Sequence, residues 1–300
     1  MTSSVERFEE HRPLLLRTAY RVLGSVAEAE EIVQEAYLRW REVEVEEVHS
    51  APTFLVATVT RLALDRLRAL DAERERYPGP WLPEPVVTGE QSRANAGGSD
   101  PSATAERLDT AFMMMLERLT PAQRAAYVLR DVFDFEYQEI ARALDSTEAS
   151  CRQHLSRARR RLEEHEVRYD ASVEEAREVR RAFAAAALDG DLEGLISLLA
   201  EDAVHITDGG GEVPAAREPV RGAENIARLL VGVVEGAAGE VRLQPREVNG
   251  TPGLVAQVDG RLASVVTFAI DDGRIKRVYQ VLSPPKLEAA LDDEHVPEVV

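Results

Sequence analysis

The sequence predicts a multidomain protein in which two all-α helical domains precede an α+β domain shaped like a cone. In the first half of the chain, apolar residues recur at the spacing of amphipathic helices. Beyond residue 203, short strand-like runs are separated by Asn-Gly and Asp-Gly pairs, which are typical of β-hairpins. A length of 300 residues with 44% hydrophobic residues also favours several small domains over a single one.

The charge and the cysteine content limit the classes of function. A formal net charge of -18 argues, by itself, against DNA binding, because a polyanion repels phosphates. The arginines are concentrated in segments 61–76 and 152–161, so we expect DNA contact only there. Cys151 cannot form an internal disulfide, and no apolar run approaches the roughly 20 residues that span a bilayer. We therefore expect a cytoplasmic protein without membrane contact or a cysteine-based metal cage. The sequence shows no nucleotide-binding glycine loop and no catalytic constellation, so we expect no cofactor, metal or catalytic residue.

A first helical domain is predicted over residues 5–75. Ser25 and Glu28 form a capping box, after which apolar residues recur at helical spacing. Apolar runs at 14–23 and 54–70 lack strand alternation and complete a helical bundle. The helix that begins after Ser25 has an acidic and polar outer face. This face carries Glu28, Glu31, Gln34 and Glu35.

Residues 76–103 are rich in Pro and Gly and are predicted to form a linker, because they cannot continue a helix. A second helical domain is predicted over residues 104–168. Within it, Thr120 supplies an N-cap, Pro121 the first helical position and Gln123 the capping-box side chain. The linker therefore separates two helical modules.

Segment 137–162 has the spacing of a helix-turn-helix, with a turn at 145–147. The second helix has an apolar stripe that begins with Cys151 and faces inward. Its polar side chains therefore point outward, where they can enter a DNA major groove. These side chains are Arg152, Gln153, Ser156, Arg157, Arg159, Arg160 and Arg161. The first four are expected to reach base edges, and the last three to contact phosphates. A solvated basic helix in an ordinary bundle is the alternative interpretation.

The α+β domain is predicted over residues 172–290, and an acidic tail over 291–300. Ser172 and Glu175 open a helix that ends at Gly190, and a short second helix follows. Strands are predicted at 204–207, 241–248, 254–258, 263–270 and 275–281, with a helix near 223–235. Helices followed by a curved antiparallel meander describe a cone.

These motifs resemble those of the extracytoplasmic-function sigma factors of the sigma-70 family. Segments 119–130, 137–141 and 155–162 are similar to region four of that family, which reads the upstream promoter element. Segment 28–40 is similar to region two, in which an acidic helix face docks on the polymerase clamp. The resemblance implies two partners. One is RNA polymerase core, which would be bound at its clamp and flap regions, and the other is promoter DNA.

The resemblance also implies that segment 54–68 reads and opens the downstream promoter element. The candidate residues are Thr60, Arg61, Asp65, Arg66 and Arg68. An ordinary solvated helix face is the alternative interpretation for Arg66 and Arg68.

The linker and the α+β domain resemble one subgroup of the same family. Segment 79–85, Gly-Pro-Trp-Leu-Pro-Glu-Pro, is similar to the signature of sigma factors that carry a SnoaL-like (NTF2-like) C-terminal extension. Segments 208–213 and 283–287 resemble two further motifs of that subgroup. The resemblance implies that the extension contacts the linker and the helical domains and modulates their activity. The candidate interdomain residues are Trp81, Leu82, Pro83, Glu84, Pro85, Asp208, Gly209, Gly210, Gly211, Lys286 and Leu287.

Two other classes of function are compatible with the sequence. A helix-turn-helix regulator would bind its operator without core polymerase, although the acidic helix argues against it. A bifunctional protein would bind or convert an unidentified small ligand in its cone domain, with His205, Asp208 and Tyr279 as candidates. His205 is more simply a structural residue of a strand, and Asp208 a turn residue. Trp81, similarly, either docks on the cone domain or packs on its own helical domain.

Overall fold

The computed structural model describes residues 4–43, 48, 50–88, 109–163 and 171–290. The predicted acidic tail and the second half of the predicted linker lie outside these residues. The first part of the fold is helical. It contains α1 (Ser4–Leu23), α2 (Val26–Trp40), α3 (Ala51–Arg74), α4 (Thr110–Leu116), α5 (Pro121–Tyr127), a π-helical turn (Val128–Val132), α6 (Tyr137–Ala143) and α7 (Glu148–Glu163). Within the described ranges, no helix is long and apolar enough to cross a membrane.

The helices begin at the capping residues that the sequence indicates. The Ser25 hydroxyl accepts a hydrogen bond from the Glu28 amide and opens α2, which satisfies one of the free N–H groups of the first turn. Thr120 and Gln123 form the predicted capping box of α5, with Pro121 in the first turn. Local side-chain chemistry therefore sets where these helices start.

The two helical modules share one apolar core. Buried residues of α1, α2 and α3 form a continuous cluster with residues of α4 to α7. The cluster extends from Phe8 in α1 to Leu162 in α7, and Trp40 is fully buried within it. The sequence predicts two helical domains separated by a linker, and the structure packs them directly against each other.

The C-terminal part is an α+β domain, as predicted. Its elements are α8 (Val173–Asp189), α9 (Leu192–Leu198), β2 (Leu199–Asp208), β3 (Val220–Arg221), α10 (Ala223–Glu235), β4 (Val241–Val248), β5 (Thr251–Val258), β6 (Arg261–Asp271), β7 (Arg274–Val281) and α11 (Pro284–Ala290). Helix α8 opens with the predicted Ser172 and Glu175 capping box and ends at Gly190 in the left-handed conformation. The linker contributes one more strand, β1 (Val87–Thr88).

The strands form one seven-stranded sheet among the described residues, in the order β1-β4-β5-β6-β7-β2-β3. Strands β4 to β7 are the predicted antiparallel meander. Strand β2, predicted near 204–207, joins this meander by pairing with β7 in parallel. Strands β1 and β3 were not predicted, since two residues are too short to show the period of a strand.

The two faces of the sheet pack against different parts of the chain. One face is covered by α8, α9 and α10 of the same domain, around Phe183 and Val278. The other face carries Tyr279 and Val281 and is covered by the linker at Leu82, by α4 and by α11. The sheet therefore places the linker and the second helical module on its outer face.

Candidate functional site

Helices α6 and α7 form the predicted helix-turn-helix. In the turn, Asp145 adopts a left-handed conformation, with φ of 48°, and the Ser146 amide donates to the Ala141 carbonyl at 2.9 Å. The Thr147 hydroxyl accepts from the Ser150 amide at 3.2 Å and starts α7. The inward stripe of α7 is buried. It consists of Cys151, Leu155, Ala158 and Leu162.

All seven α7 residues that the sequence predicts to meet DNA are exposed. We call this surface, Arg152, Gln153, Ser156, Arg157, Arg159, Arg160 and Arg161, the α7 face. Within the described residues, Gln153, Ser156 and Arg157 have no hydrogen-bond or ionic partner. These three side chains are therefore exposed and not engaged by other described residues.

Other arginines of the α7 face are held by neighbouring groups. Arg152 pairs with Glu148 at 2.7 Å and stacks on the Tyr137 ring. Arg159 binds Asp131 through two hydrogen bonds, at 2.9 and 2.6 Å, and this pairing raises its pKa. Charge pairing of this kind orients a guanidinium while leaving part of it exposed.

The α3 candidates divide into two groups. Arg61, Asp65 and Arg68 are exposed on one side of the helix, and we call them the α3 face. Thr60 is fully buried, and Arg66 forms a bidentate pair with Glu28, with both contacts at 2.5 Å. In this conformation Thr60 is therefore closed to solvent, and Arg66 is engaged by Glu28. For Thr60 the reason is helical spacing, which places it on the core side of α3.

The second helical module covers one end of the α3 face. The Arg61 guanidinium donates to the last carbonyls of α6, at 2.8 Å to Arg142 and 3.4 Å to Ala143. The Thr53 hydroxyl donates to the Glu139 carboxylate at 3.2 Å. A cleft of about 610 Å³ remains between α3 and α6. Arg61 thus caps the C-terminal end of α6, where a cation is favoured by the helix dipole.

The acidic face of α2 is largely open. Glu31, Gln34 and Glu35 are exposed, whereas Glu28 is mostly covered because it pairs with Arg66. Leu38 continues this surface and is 53% exposed, a high fraction for a large apolar side chain. The sequence did not single out Leu38, because its position in an amphipathic helix resembles that of many surface leucines.

The linker is held on the C-terminal domain by a buried carboxylate. Asp208 is 0% exposed and accepts hydrogen bonds from the Tyr77 hydroxyl at 2.6 Å and the Leu82 amide at 2.8 Å. It also accepts from the Gly210 amide and pairs with Lys286 at 2.7 Å. We call these contacts the Asp208 latch. Asp208 raises the pKa of Tyr77 in addition to the effect of burial, so the tyrosine stays a neutral donor.

Lys286 connects the latch to Trp81. The Lys286 ammonium also donates to the Leu82 carbonyl at 2.5 Å and lies 4.2 Å from the Trp81 ring centroid. Burial lowers the pKa of Lys286, and Asp208 opposes this effect. The Arg74 guanidinium of α3 lies 3.7 Å from the Trp81 centroid. Trp81 thus contacts both the helical part and the C-terminal domain through cation–π interactions. Both interpretations offered for this residue, docking on the cone domain and packing on its own helical domain, therefore apply.

The glycines that follow Asp208 allow the close approach of the linker. Gly210 and Gly211 have positive φ values of 64° and 78°. A Cβ atom on Gly211 would clash with the Pro78 ring, and one on Gly210 with Ser283. The glycine run is therefore required by backbone conformation and by contact with the linker.

Glu84 of the linker caps α2. Its carboxylate accepts from the Val26 amide at 2.6 Å, the Ser25 hydroxyl at 2.9 Å and the Ala27 amide at 3.3 Å. A carboxylate at a helix N-terminus satisfies free N–H groups and complements the helix dipole. The linker is therefore bound to the start of the acidic helix. Pro83 and Pro85 beside Glu84 are buried, and Leu287 belongs to the same apolar cluster as Leu82.

The three candidates for a catalytic site do not converge. His205 lies beside Val278 on the inner face of the sheet, and its Nε2 contacts Gln280 at 3.0 Å. Tyr279 packs on the outer face, and Asp208 belongs to the latch. Burial lowers the pKa of His205 to about 4, so the imidazole is neutral at pH 7.

Several residues of this interdomain region were not predicted. Arg74 and Tyr77 both lie shortly before the linker motif at 79–85 in the sequence. Asn249 and Thr110 contact each other through side chains that are buried between the domains. For Asn249, the Asn-Gly pair indicates only a hairpin, so no sequence signal distinguishes an interdomain residue there.

Comparison with known proteins agrees with this geometry. Residues 7–73 match the family model of sigma-70 region 2, and residues 109–162 match that of sigma-70 region 4. The matched segments contain the α3 face and the α7 face, respectively. The fold and these two matches therefore define a sigma-70-type transcription initiation factor.

Full-length relatives define the family further. The chain is 36% identical to the ECF RNA polymerase sigma factor SigJ of Mycobacterium tuberculosis, over 94% of this chain and 92% of that protein. It is 30% identical to the RNA polymerase sigma-E factor of Streptomyces coelicolor, over 55% of this chain and 89% of that protein. The crystal structure of M. tuberculosis SigJ matches with a TM-score of 0.74 at 34% identity, covering 96% and 99% of the two chains. The chain belongs to the extracytoplasmic-function sigma factors and is an alternative sigma factor that binds RNA polymerase.

Proposed function

We propose that the C-terminal domain restrains this sigma factor in a conformation that limits promoter reading. The observation that carries the proposal is the pairing of Arg61 with the last carbonyls of α6, which ties one end of the α3 face to the second helical module. The Asp208 latch and the outer face of the sheet hold the linker that connects the two helical modules. The C-terminal domain therefore stabilises the arrangement in which α6 lies on α3.

Two DNA contacts follow from the exposed residues. The α7 face would read the upstream promoter element, with Gln153, Ser156 and Arg157 at base edges and the other arginines near phosphates. The α3 face would contact the downstream element after α6 has left it. The net charge of -18 disfavours binding to free DNA, so these surfaces would act once polymerase holds them at promoter spacing.

The polymerase contacts are assigned by exposure and charge. Glu31, Gln34 and Glu35, with the apolar Leu38 beside them, form a surface suited to the clamp. The second helical module would contact the flap region. Since it acts on polymerase, the protein would work in the cytoplasm. A small ligand of the C-terminal domain stays a prediction.

Reconstituted transcription tests the proposal. Core polymerase would be combined with the full chain or with a chain ended near residue 168, on a library of genomic promoters. We expect both forms to bind core and initiate at the same promoters, with higher activity for the shortened form because α3 is released. Because shortening exposes Leu82 and other apolar linker residues, the full-length Lys286→Met variant serves as a second test with all domains present.

The outcomes separate the parts of the proposal. Equal or lower activity of both altered proteins, with core binding intact, would contradict restraint by the C-terminal domain. Operator binding without core polymerase would instead favour the helix-turn-helix regulator.

A further inference from the structure

Three hairpins of the C-terminal domain have the same turn but different surroundings. The turns Asn249-Gly250, Asp259-Gly260 and Asp272-Gly273 each place both central residues at positive φ, between 48° and 76°. This conformation is that of a type I′ turn, which Asn and Asp tolerate and Gly favours. The Asp259 and Asp272 side chains are exposed, whereas Asn249 is 2% exposed. The turn conformation by itself does not require a buried side chain.

The Asn249 side chain binds the linker as a strand would. Its Oδ1 accepts from the Val86 amide at 2.7 Å, and its own backbone amide donates to the Val86 carbonyl at 2.8 Å. The pair lies next to the Val87 and Val248 register of β1 and β4, so Asn249 extends that ladder by one residue. The linker is thus anchored at Val86, the residue before β1, by a side chain of the C-terminal domain.

The other end of the same amide binds the second helical module. Asn249 Nδ2 donates to the Thr110 hydroxyl of α4 at 3.1 Å, and the Thr267 hydroxyl of β6 donates to the same oxygen at 3.1 Å. Asn249 Oδ1 lies 3.5 Å from the hydroxyl of Tyr20 in α1. That hydroxyl donates to the Glu84 carbonyl at 2.7 Å. A single amide therefore contacts the linker and both helical modules.

We infer that Asn249 is a positioning residue through which the C-terminal domain holds the linker and both helical modules together. Removing its side chain would leave the Val86 amide and the Thr110 hydroxyl without this partner in a buried site, which weakens the docked state. The contacts stand by themselves, and only their effect on transcription depends on the proposed restraint.

Hydrogen exchange on the full chain tests the inference without polymerase. In Asn249→Gly the turn keeps its positive φ, because Gly favours this conformation, and only the side chain is lost. We expect exchange of the linker amides at residues 82–88 and of the first turn of α4 to become roughly tenfold faster or more. The β4–β5 and β5–β6 amides should keep their protection. Asp272→Gly makes the same change at an exposed turn and should leave all of these rates unchanged.

A double-mutant cycle with Thr110→Val checks that the two ends of the amide act together. The effects of Asn249→Gly and Thr110→Val on linker exchange should be less than additive, because each variant breaks the same hydrogen bond.

Two results would overturn the inference. One is wild-type exchange of the linker and of α4 in Asn249→Gly. The other is a loss of protection confined to the β4–β5 hairpin, which would make Asn249 an ordinary turn residue. Faster linker exchange with unchanged transcription would support the role of Asn249 and count against restraint.

Discussion

The α7 face and the α3 face differ in what covers them. On the α7 face, Gln153, Ser156 and Arg157 point to solvent without a protein partner among the described residues. On the α3 face, Arg61 donates to the carbonyl end of α6, and Asp65 and Arg68 pair with each other at 2.8 Å. The surface assigned to the upstream element is therefore open, whereas the one assigned to the downstream element is engaged at Arg61 by the second helical module.

This difference indicates where control acts in the molecule. In the helix-turn-helix, α7 presents an open surface, whereas α6 contacts Arg61 of α3. The same module therefore carries one DNA-binding candidate surface and covers part of the other. The C-terminal domain contacts neither face through the Asp208 latch or Asn249; it holds the linker and α4. Changes in the latch should therefore alter the α3 face while leaving the α7 face intact.

The largest effect is expected from Lys286→Met, which removes the cation of the Asp208 latch. Asp208 would stay buried without its ion-pair partner, and breaking one half of a buried pair costs about 3–5 kcal/mol. Hydrogen exchange at the Leu82 amide and the free energy of unfolding of the full chain measure this loss. Adding Asp208→Asn should restore part of the stability, because the uncompensated charge is removed.

A control for Lys286→Met is Arg228→Ala, which breaks an exposed pair with Glu224 on α10. Exposed pairs contribute about 0–1 kcal/mol, so little change is expected. Similar losses in the two variants would show that the latch has no special role.

An intermediate effect is expected from Arg157→Ala on the open surface. Loss of a base contact should weaken holoenzyme binding to the upstream element by about 1–3 kcal/mol and relax preference at one base pair. Binding to promoters with single base changes, at constant salt, measures both. Arg159→Ala is the comparison, because Asp131 already holds that guanidinium. An equal loss on every sequence would make Arg157 a phosphate contact.

The smallest effect is expected from Arg61→Ala on the covered surface. Hydrogen bonds to the α6 carbonyls contribute about 1 kcal/mol in net stability, so α6 should leave α3 more often. Exchange of amides in the last turn of α6 measures this change. Arg68→Ala, on the same helix but away from α6, should leave those amides unaffected. Unchanged exchange in Arg61→Ala would mean that apolar packing alone holds α6.

Much of the local structure was predictable from short-range chemistry. The helix expected near 223–235 is Ala223–Glu235, and the three Asn-Gly or Asp-Gly pairs form the turns that their residue types favour. The exposed residues of α7 follow from helical period, because its apolar stripe fixes the opposite face. Membership in the sigma-70 family was predicted from these motifs.

Long-range pairing was not predictable in the same way. The parallel pairing of β2 with β7 joins residues far apart in sequence. Strand β1, which extends the sheet beside β4, comes from the segment that was predicted to be a linker. Thr60 was expected to face DNA, but it is fully buried. Asp208 was expected both as a turn residue and, from the resemblance, as an interdomain residue; it accepts from the Gly210 amide as turn residues do, and it also holds the linker.

The sequence by itself determined the helices, the hairpins, the helix-turn-helix and the family, because periodicity, caps and turn residues act over a few positions. Only the tertiary structure decided which surfaces are covered, and which of several similar side chains joins the domains. Asn249 and Asp272 occupy the same kind of turn, yet only Asn249 is buried against other domains. The physical reason is that burial and partner choice depend on the packing of distant segments, which local residue types do not specify.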